Sequence, residues 1–140
     1  MPRRDVDINR LHRCLRYCVR HGARAPRLLR YVPDIVELLY PANEYPRLTE
    51  HERADHTEND IRKAIEAIGG PAADALTVVL GLRPGTMGRT LTDRRRLAGR
   101  YLGMEADTFR RPWNERALLA DLAHEIHHQH RADFIGKREA

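Results

Sequence analysis

Residues 69–82 read Gly-Gly-Pro-Ala-Ala-Asp-Ala-Leu-Thr-Val-Val-Leu-Gly-Leu, and the fold turns on how this stretch is read. The run Thr77-Val78-Val79-Leu80 has strand propensity, because β-branched side chains suit a pleated surface. Its context argues for helix. The apolar stretch reaches back to Ala72, Pro71 suits a helix's first turn, and Gly69-Gly70 closes whatever precedes it. A helix from Ala72 to Leu82 would be apolar on most sides and would sit at the centre of a bundle. With this stretch helical, no convincing strand remains anywhere, and the chain is expected to be all-α.

Outward from this stretch the same period recurs. Glu50 to Ile68 is a polar helix whose apolar face forms late, at Ile61, Ala64, Ile65 and Ile68. Near the start, Leu11, Cys14, Leu15, Cys18 and Val19 fall at helical spacing between about Asp7 and His21, and Gly22 is a natural stop. Pro26 can open a second helix, which Pro33 breaks or restarts before Pro41 ends it. Downstream, Pro84, Gly85 and Gly88 make Arg83–Leu91 a loop. Thr92 is expected to cap a helix running to about Leu102. Gly103 turns the chain into a short helix, roughly Ala106 to Arg111. Pro112 then opens a last long one striped by Leu118, Leu119, Leu122, Ala123 and Ile126. The expectation is one domain over residues 1–140, a bundle of five to six helices with short connections.

Composition bounds the function. Hydrophobic residues at 41% and charged residues at 32% describe a chain that folds, not a disordered one. No run of about 18 apolar residues is present, so no membrane partner is expected. The opening Met-Pro-Arg-Arg-Asp-Val-Asp lacks the apolar stretch of a secretory signal, which points to the cytoplasm. Cys14 and Cys18, four apart on one helix, are expected as reduced core residues. Cys14, Cys18 and His21 share a helical face, but zinc would need a further ligand from elsewhere. The net charge of +5 is unevenly spread: basic over 1–30, acidic over 31–76, and basic again over 89–111. Two basic stretches around an acidic middle fit either a polyanion partner or internal pairing. The preference for Arg over Lys, with much Ala and Leu, suggests a GC-rich bacterial genome.

One segment carries a recognisable pattern. In Leu97-Ala98-Gly99-Arg100-Tyr101-Leu102-Gly103-Met104-Glu105-Ala106-Asp107-Thr108-Phe109, a small residue at 99 allows two helices to cross closely. Glycine at 103 accepts the turn, and apolar residues at 104 and 109 set the angle between the helices. The stretch 92–111 resembles the helix-turn-helix of bacterial DNA-binding proteins. The resemblance implies a regulator in which Arg94, Arg95, Arg96 and Arg100 hold duplex phosphates while Thr108, Arg110 and Arg111 approach the groove. By position, Glu105, Ala106, Asp107 and Arg110 would face base edges. Pro112 limits this second helix to under two turns, and a helix-turn-helix that only builds a core is the competing reading. The C-terminal half also resembles uncharacterised helical modules of GC-rich bacteria. These imply an alternative: a protein-interaction or adaptor module, signalling or phage- or defence-related, with the arginines as a solvated face. A second copy of the chain is a further candidate partner.

His124-Glu125-Ile126-His127-His128 matches H-E-x-x-H, in which two histidines one turn apart bind zinc and the glutamate acts as base. A third ligand would have to come from His130, Asp133 or Glu139. Ile126 continues the apolar stripe, leaving the motif on flanking faces. The expectation is no enzyme, no cofactor and no resident metal. The loop Gly81–Gly88 lacks the Lys-Ser/Thr ending of a phosphate loop. Trp113 and Tyr101 are expected as core or interface anchors, with Trp113 packed on the preceding turn.

Overall fold

In the computed structural model Thr77, Val78 and Val79 are helical and Leu80 is the C-cap: α5 spans Gly70–Val79, shorter than the expected reach to Leu82, and ends where the Leu80 N–H donates to the Leu76 carbonyl (3.0 Å). The structure describes the backbone of residues 6–86 and 88–139, with side chains as far as Arg131. Among these there is no strand. The remaining helices are α1 Ile8–His21, α2 Ala25–Tyr31, α3 Pro33–Leu39, α4 Glu50–Ile68, α6 Leu91–Tyr101, α7 Ala106–Phe109 and α8 Ala117–Glu139. A π-helical turn, Pro112–Arg116, leads into α8. No helix among the described residues is long and apolar enough to cross a membrane.

Among the described residues there are eight α-helices, where five or six were expected. Val32 leaves the helical region (φ −135°, ψ 50°) and Pro33 opens a new helix, so the helix that Pro33 was expected to break or restart is two, α2 and α3. Arg111 is extended (ψ 146°) before Pro112, which separates α7 from the π-helical turn and α8. The cap of α6 is Thr90, not Thr92; its hydroxyl accepts from the Asp93 N–H at 3.1 Å. A Thr49–Glu52 capping box starts α4, and Asp7 caps α1.

One core runs through the bundle. Leu11 and Leu15 of α1, Ile61 of α4, Leu76 of α5, Phe109 of α7, and Leu119 and Leu122 of α8 are wholly buried. α1 and α4 both pack on α8, and α5 lies along α6. Phe109 ties the four-residue α7 to the bundle, and burying one such side chain contributes about 2–3 kcal/mol. At the α6–α7 turn, the Met104 N–H donates to the Gly99 carbonyl at 2.8 Å. A Cβ on residue 99 would lie 2.5 Å from the Met104 carbonyl oxygen, so only glycine permits this approach. Gly103, at φ 67°, makes the turn itself.

The C-terminal ends of α1 and α5 meet. The chain leaving α1 donates the Ala23 N–H to the Leu80 carbonyl just past α5, at 2.9 Å. Two helix ends at one point concentrate unpaired carbonyls and the negative poles of two helix dipoles. A cation is required there.

Candidate functional site

Arg94 supplies that cation. Its guanidinium donates to the carbonyls of Val79 (2.5 Å), Val19 (2.8 Å) and Arg20 (3.3 Å), so one side chain caps both helices. The residue is only 5% exposed. Burial, followed by Arg95, pulls its pKa below the ordinary arginine value. The guanidinium nevertheless stays charged, because arginine keeps its proton in folded proteins. The expectation that Arg94 holds a phosphate is therefore corrected: its donors are spent inside the bundle.

Arg95 is also turned inward. Its Nε and Nη2 pair with both carboxylate oxygens of Glu115 at 2.7 and 2.8 Å, a bidentate fork. Glu115 lies on the π-helical turn and is itself buried. This ion pair joins α6 to the start of α8 and removes Arg95 as a freely available phosphate ligand. Arg96 is exposed and pairs with Asp93 one turn back at 2.9 Å. Arg100 is exposed, as are Thr108 and Arg111. Arg110 is exposed, with its Nε 3.4 Å from Asp107. Of the expected DNA ligands, Arg94 and Arg95 are turned to partners within the fold, Arg95 and Arg110 line one cleft, and Arg96, Arg100, Thr108 and Arg111 are exposed.

A different set of arginines does converge. α1 carries its apolar stripe, Leu11, Cys14, Leu15 and Cys18, into the core. Arg13, Arg16, Tyr17 and Arg20 stand on another face at the same helical spacing. Facing them are Arg95 from α6, Arg110 after α7, and Glu115 and Arg116 from the π-helical turn. Together they line a half-open cleft of about 620 Å³ with Val19 and Leu91. The His12 ring nitrogen lies 3.1 Å from the Arg116 carbonyl oxygen and helps hold α1 against that turn.

The charge balance of this cleft is strongly positive. Six guanidiniums line it against one carboxylate, Glu115, which Arg95 already neutralises. Among the described residues, Arg13, Arg16, Arg20 and Arg116 have no carboxylate within ion-pair distance. Of the acidic middle of the chain, Asp34 feels the charge of Arg13 without pairing with it. Glu58 caps the start of α2 through the Ala25 N–H (2.7 Å) and pairs with Arg62, Glu37 pairs with Arg53, and Asp34 pairs with Arg10. Sequence reading passed over this cleft, although the spacing of Arg13, Arg16, Tyr17 and Arg20 was its available signal.

The H-E-x-x-H segment lies on α8. His124 and His128 are exposed, and with Asp121, His127, Arg131 and Ile68 they border a second, more open depression. Glu125 accepts from the Gln129 amide at 3.1 Å. His130 instead turns towards Asp60 of α4 (3.9 Å) and the Tyr40 ring. The side chains of Asp133 and Glu139 lie outside the described residues. Among the described residues, no three His, Cys, Asp or Glu side chains converge as metal ligands.

Cys14 and Cys18 are buried, free thiols in the core seam of α1. Burial, together with Asp34, pushes the Cys14 thiol up to about 12, and burial raises Cys18 as well. His21 is stacked on Tyr31 (4.6 Å between ring centres). Trp113 is not in the core: it is 66% exposed, with the Arg111 guanidinium over its ring at 5.5 Å. Tyr101 is at the surface beneath Arg83. Comparison with protein-family models, with curated proteins and with solved structures finds no match for this chain.

Proposed function

We propose that this protein is a nucleic-acid-binding regulatory protein that holds the phosphate backbone in the arginine cleft between α1, α6 and the π-helical turn. The observation that carries this reading is the convergence of Arg13, Arg16, Arg20 and Arg116, which have no carboxylate partners among the described residues. Like charges gathered on neighbouring elements repel one another, and a bound polyanion relieves that repulsion. Guanidiniums also match phosphate geometry, through paired donors in a rigid fork.

The helix-turn-helix expectation is retained here in altered form. The α6–Gly99–Gly103–α7 corner serves to position Arg95, Arg110 and the π-helical turn around the cleft. A second helix of four residues presents too short a face to read base edges. Contact is therefore with phosphates and is largely independent of sequence. Arg96, Arg100 and Arg111 extend the positive surface beyond the cleft.

The test is fluorescence anisotropy with mixed-sequence DNA, both duplex and single-stranded, at two salt concentrations. Each phosphate neutralised releases nearly one counterion, so affinity should fall steeply with salt. Replacing Arg13, Arg16 and Arg116 together with Ala should weaken binding and flatten the salt slope by about two to three units. Replacing Arg96 and Arg100 should do less. No binding of either form at low salt would overturn the proposal.

A second reading, a protein-interaction module, has one observation in its favour. Trp113 and Arg111 form an exposed pair of the residue types that anchor interfaces. Without nucleic-acid binding, a partner lost on Trp113→Ala would establish that reading.

A further inference from the structure

Resting on the nucleic-acid reading, we infer that the cleft takes a single strand, with a base stacked on Tyr17, and not the side of a duplex. Three features point to this. The arginines are arranged as walls around a concavity, contributed by α1, α6, the end of α7 and the π-helical turn. A duplex is stiff over about 150 base pairs and presents a convex backbone, which meets such a cleft only at its rim. A single strand bends at every nucleotide and follows the walls.

Tyr17 is the second feature. It is 55% exposed, yet it stands in the arginine row, one residue from Arg16 and three from Arg20, and it lines the cleft. Among the described residues no aromatic ring packs against it. A ring in that position gives a duplex nothing to recognise, because duplex bases are stacked on one another. An unpaired base offers its π face to the tyrosine while its flanking phosphates reach Arg13 and Arg20. These two residues are about 10 Å apart along the helix axis. Alternating aromatic and cationic groups of this kind make up sequence-tolerant single-strand sites.

The third feature is α7, the helix that would follow the α6 corner into a major groove. α7 has four residues, and its last, Phe109, is wholly buried. The Thr108 carbonyl is taken by the Asn114 side chain at 2.8 Å.

The experiment uses the full chain and three labelled probes: a mixed-sequence single strand of about a dozen nucleotides, the duplex of the same sequence, and inorganic polyphosphate. The single strand should bind more tightly than the duplex. Tyr17→Ala should weaken single-strand binding about tenfold while leaving polyphosphate binding unchanged, and Tyr17→Phe should keep most of the affinity. A thermal melt of each variant checks folding, which a half-exposed side chain should not disturb. Equal or tighter binding of duplex, or a Tyr17→Ala protein that binds single strand like wild type, would overturn the inference. Arginine-dependent duplex binding would still leave the nucleic-acid reading standing. Failure to bind all three probes would remove both.

Discussion

On α1, Arg13, Arg16 and Arg20 stand away from the core-facing Leu11, Cys14, Leu15 and Cys18. On α6, Arg94 and Arg95 stand on the side that packs. Both helices are rich in arginine, but α6 uses Arg94 and Arg95 to close the fold, while Arg13, Arg16 and Arg20 of α1 have no carboxylate partner among the described residues. The reason lies in what each helix meets. α6 runs past the joint ends of α1 and α5, where carbonyls lack partners, and past Glu115, which needs a cation. α1 meets apolar side chains on one face and lines the half-open cleft with another. Charge at the surface thus depends on which guanidiniums the interior consumes. Counting arginines along the sequence does not reveal this.

The largest expected effect that tests this contrast is at Arg94. Arg94→Met keeps the length but leaves three carbonyls at buried helix ends without a donor. It should destabilise by about 3 kcal/mol in urea unfolding. Arg13→Ala should change stability by no more than about 0.5 kcal/mol. Similar losses at the two positions would break the comparison.

An intermediate effect is expected at the Arg95–Glu115 pair. In a double-mutant cycle with alanine at each position, the coupling should be about 1–3 kcal/mol, since Glu115 is buried and the fork is bidentate. Coupling near zero would put Arg95 in the same class as the α1 arginines and enlarge the cleft's free charge.

The smallest effect sharpens the contrast within α1. Arg10 is its one arginine with a carboxylate partner among the described residues: its Nε donates to Asp34 at 3.0 Å. The Arg10 guanidinium holds the Asp34 carboxyl below the usual range. A depressed folded pKa adds stability above the unfolded value, about 3.9, and loses it as pH falls through the folded value. Asp34→Asn should therefore cost under about 1 kcal/mol at neutral pH, because the pair is half exposed. The difference should vanish in acid, as shown by urea unfolding at a series of pH values. A difference that persists there would mean that Asp34 acts through packing.

Much of the local structure was legible in the sequence. Pro71, the length of the apolar stretch and Gly69-Gly70 marked the Thr77–Leu80 run as helix against its strand propensity, and the helix holds as far as Val79. Gly99 and Gly103 marked a close corner, and the contacts at Met104 supply its physical cause. The breaks at Pro33 and Pro112 were legible too, though how far they divide the helices was not. Trp113 misled, because a large aromatic after a helix-opening proline usually packs, whereas here it lies under Arg111 at the surface.

By itself the sequence determined helix, period and corner, because these depend on neighbours within a few residues: the side chains that share a face, the proline that lacks an N–H, the glycine that tolerates a positive φ. Only the tertiary structure decided the fate of each arginine. Arg94, Arg95 and Arg96 are consecutive and chemically identical. One meets the carbonyl of Val19, 75 residues away, one meets Glu115, and one meets solvent and Asp93. Successive side chains on a helix point about 100° apart, so three adjacent arginines face three environments. Those environments are assembled by distant segments whose arrival no local pattern records.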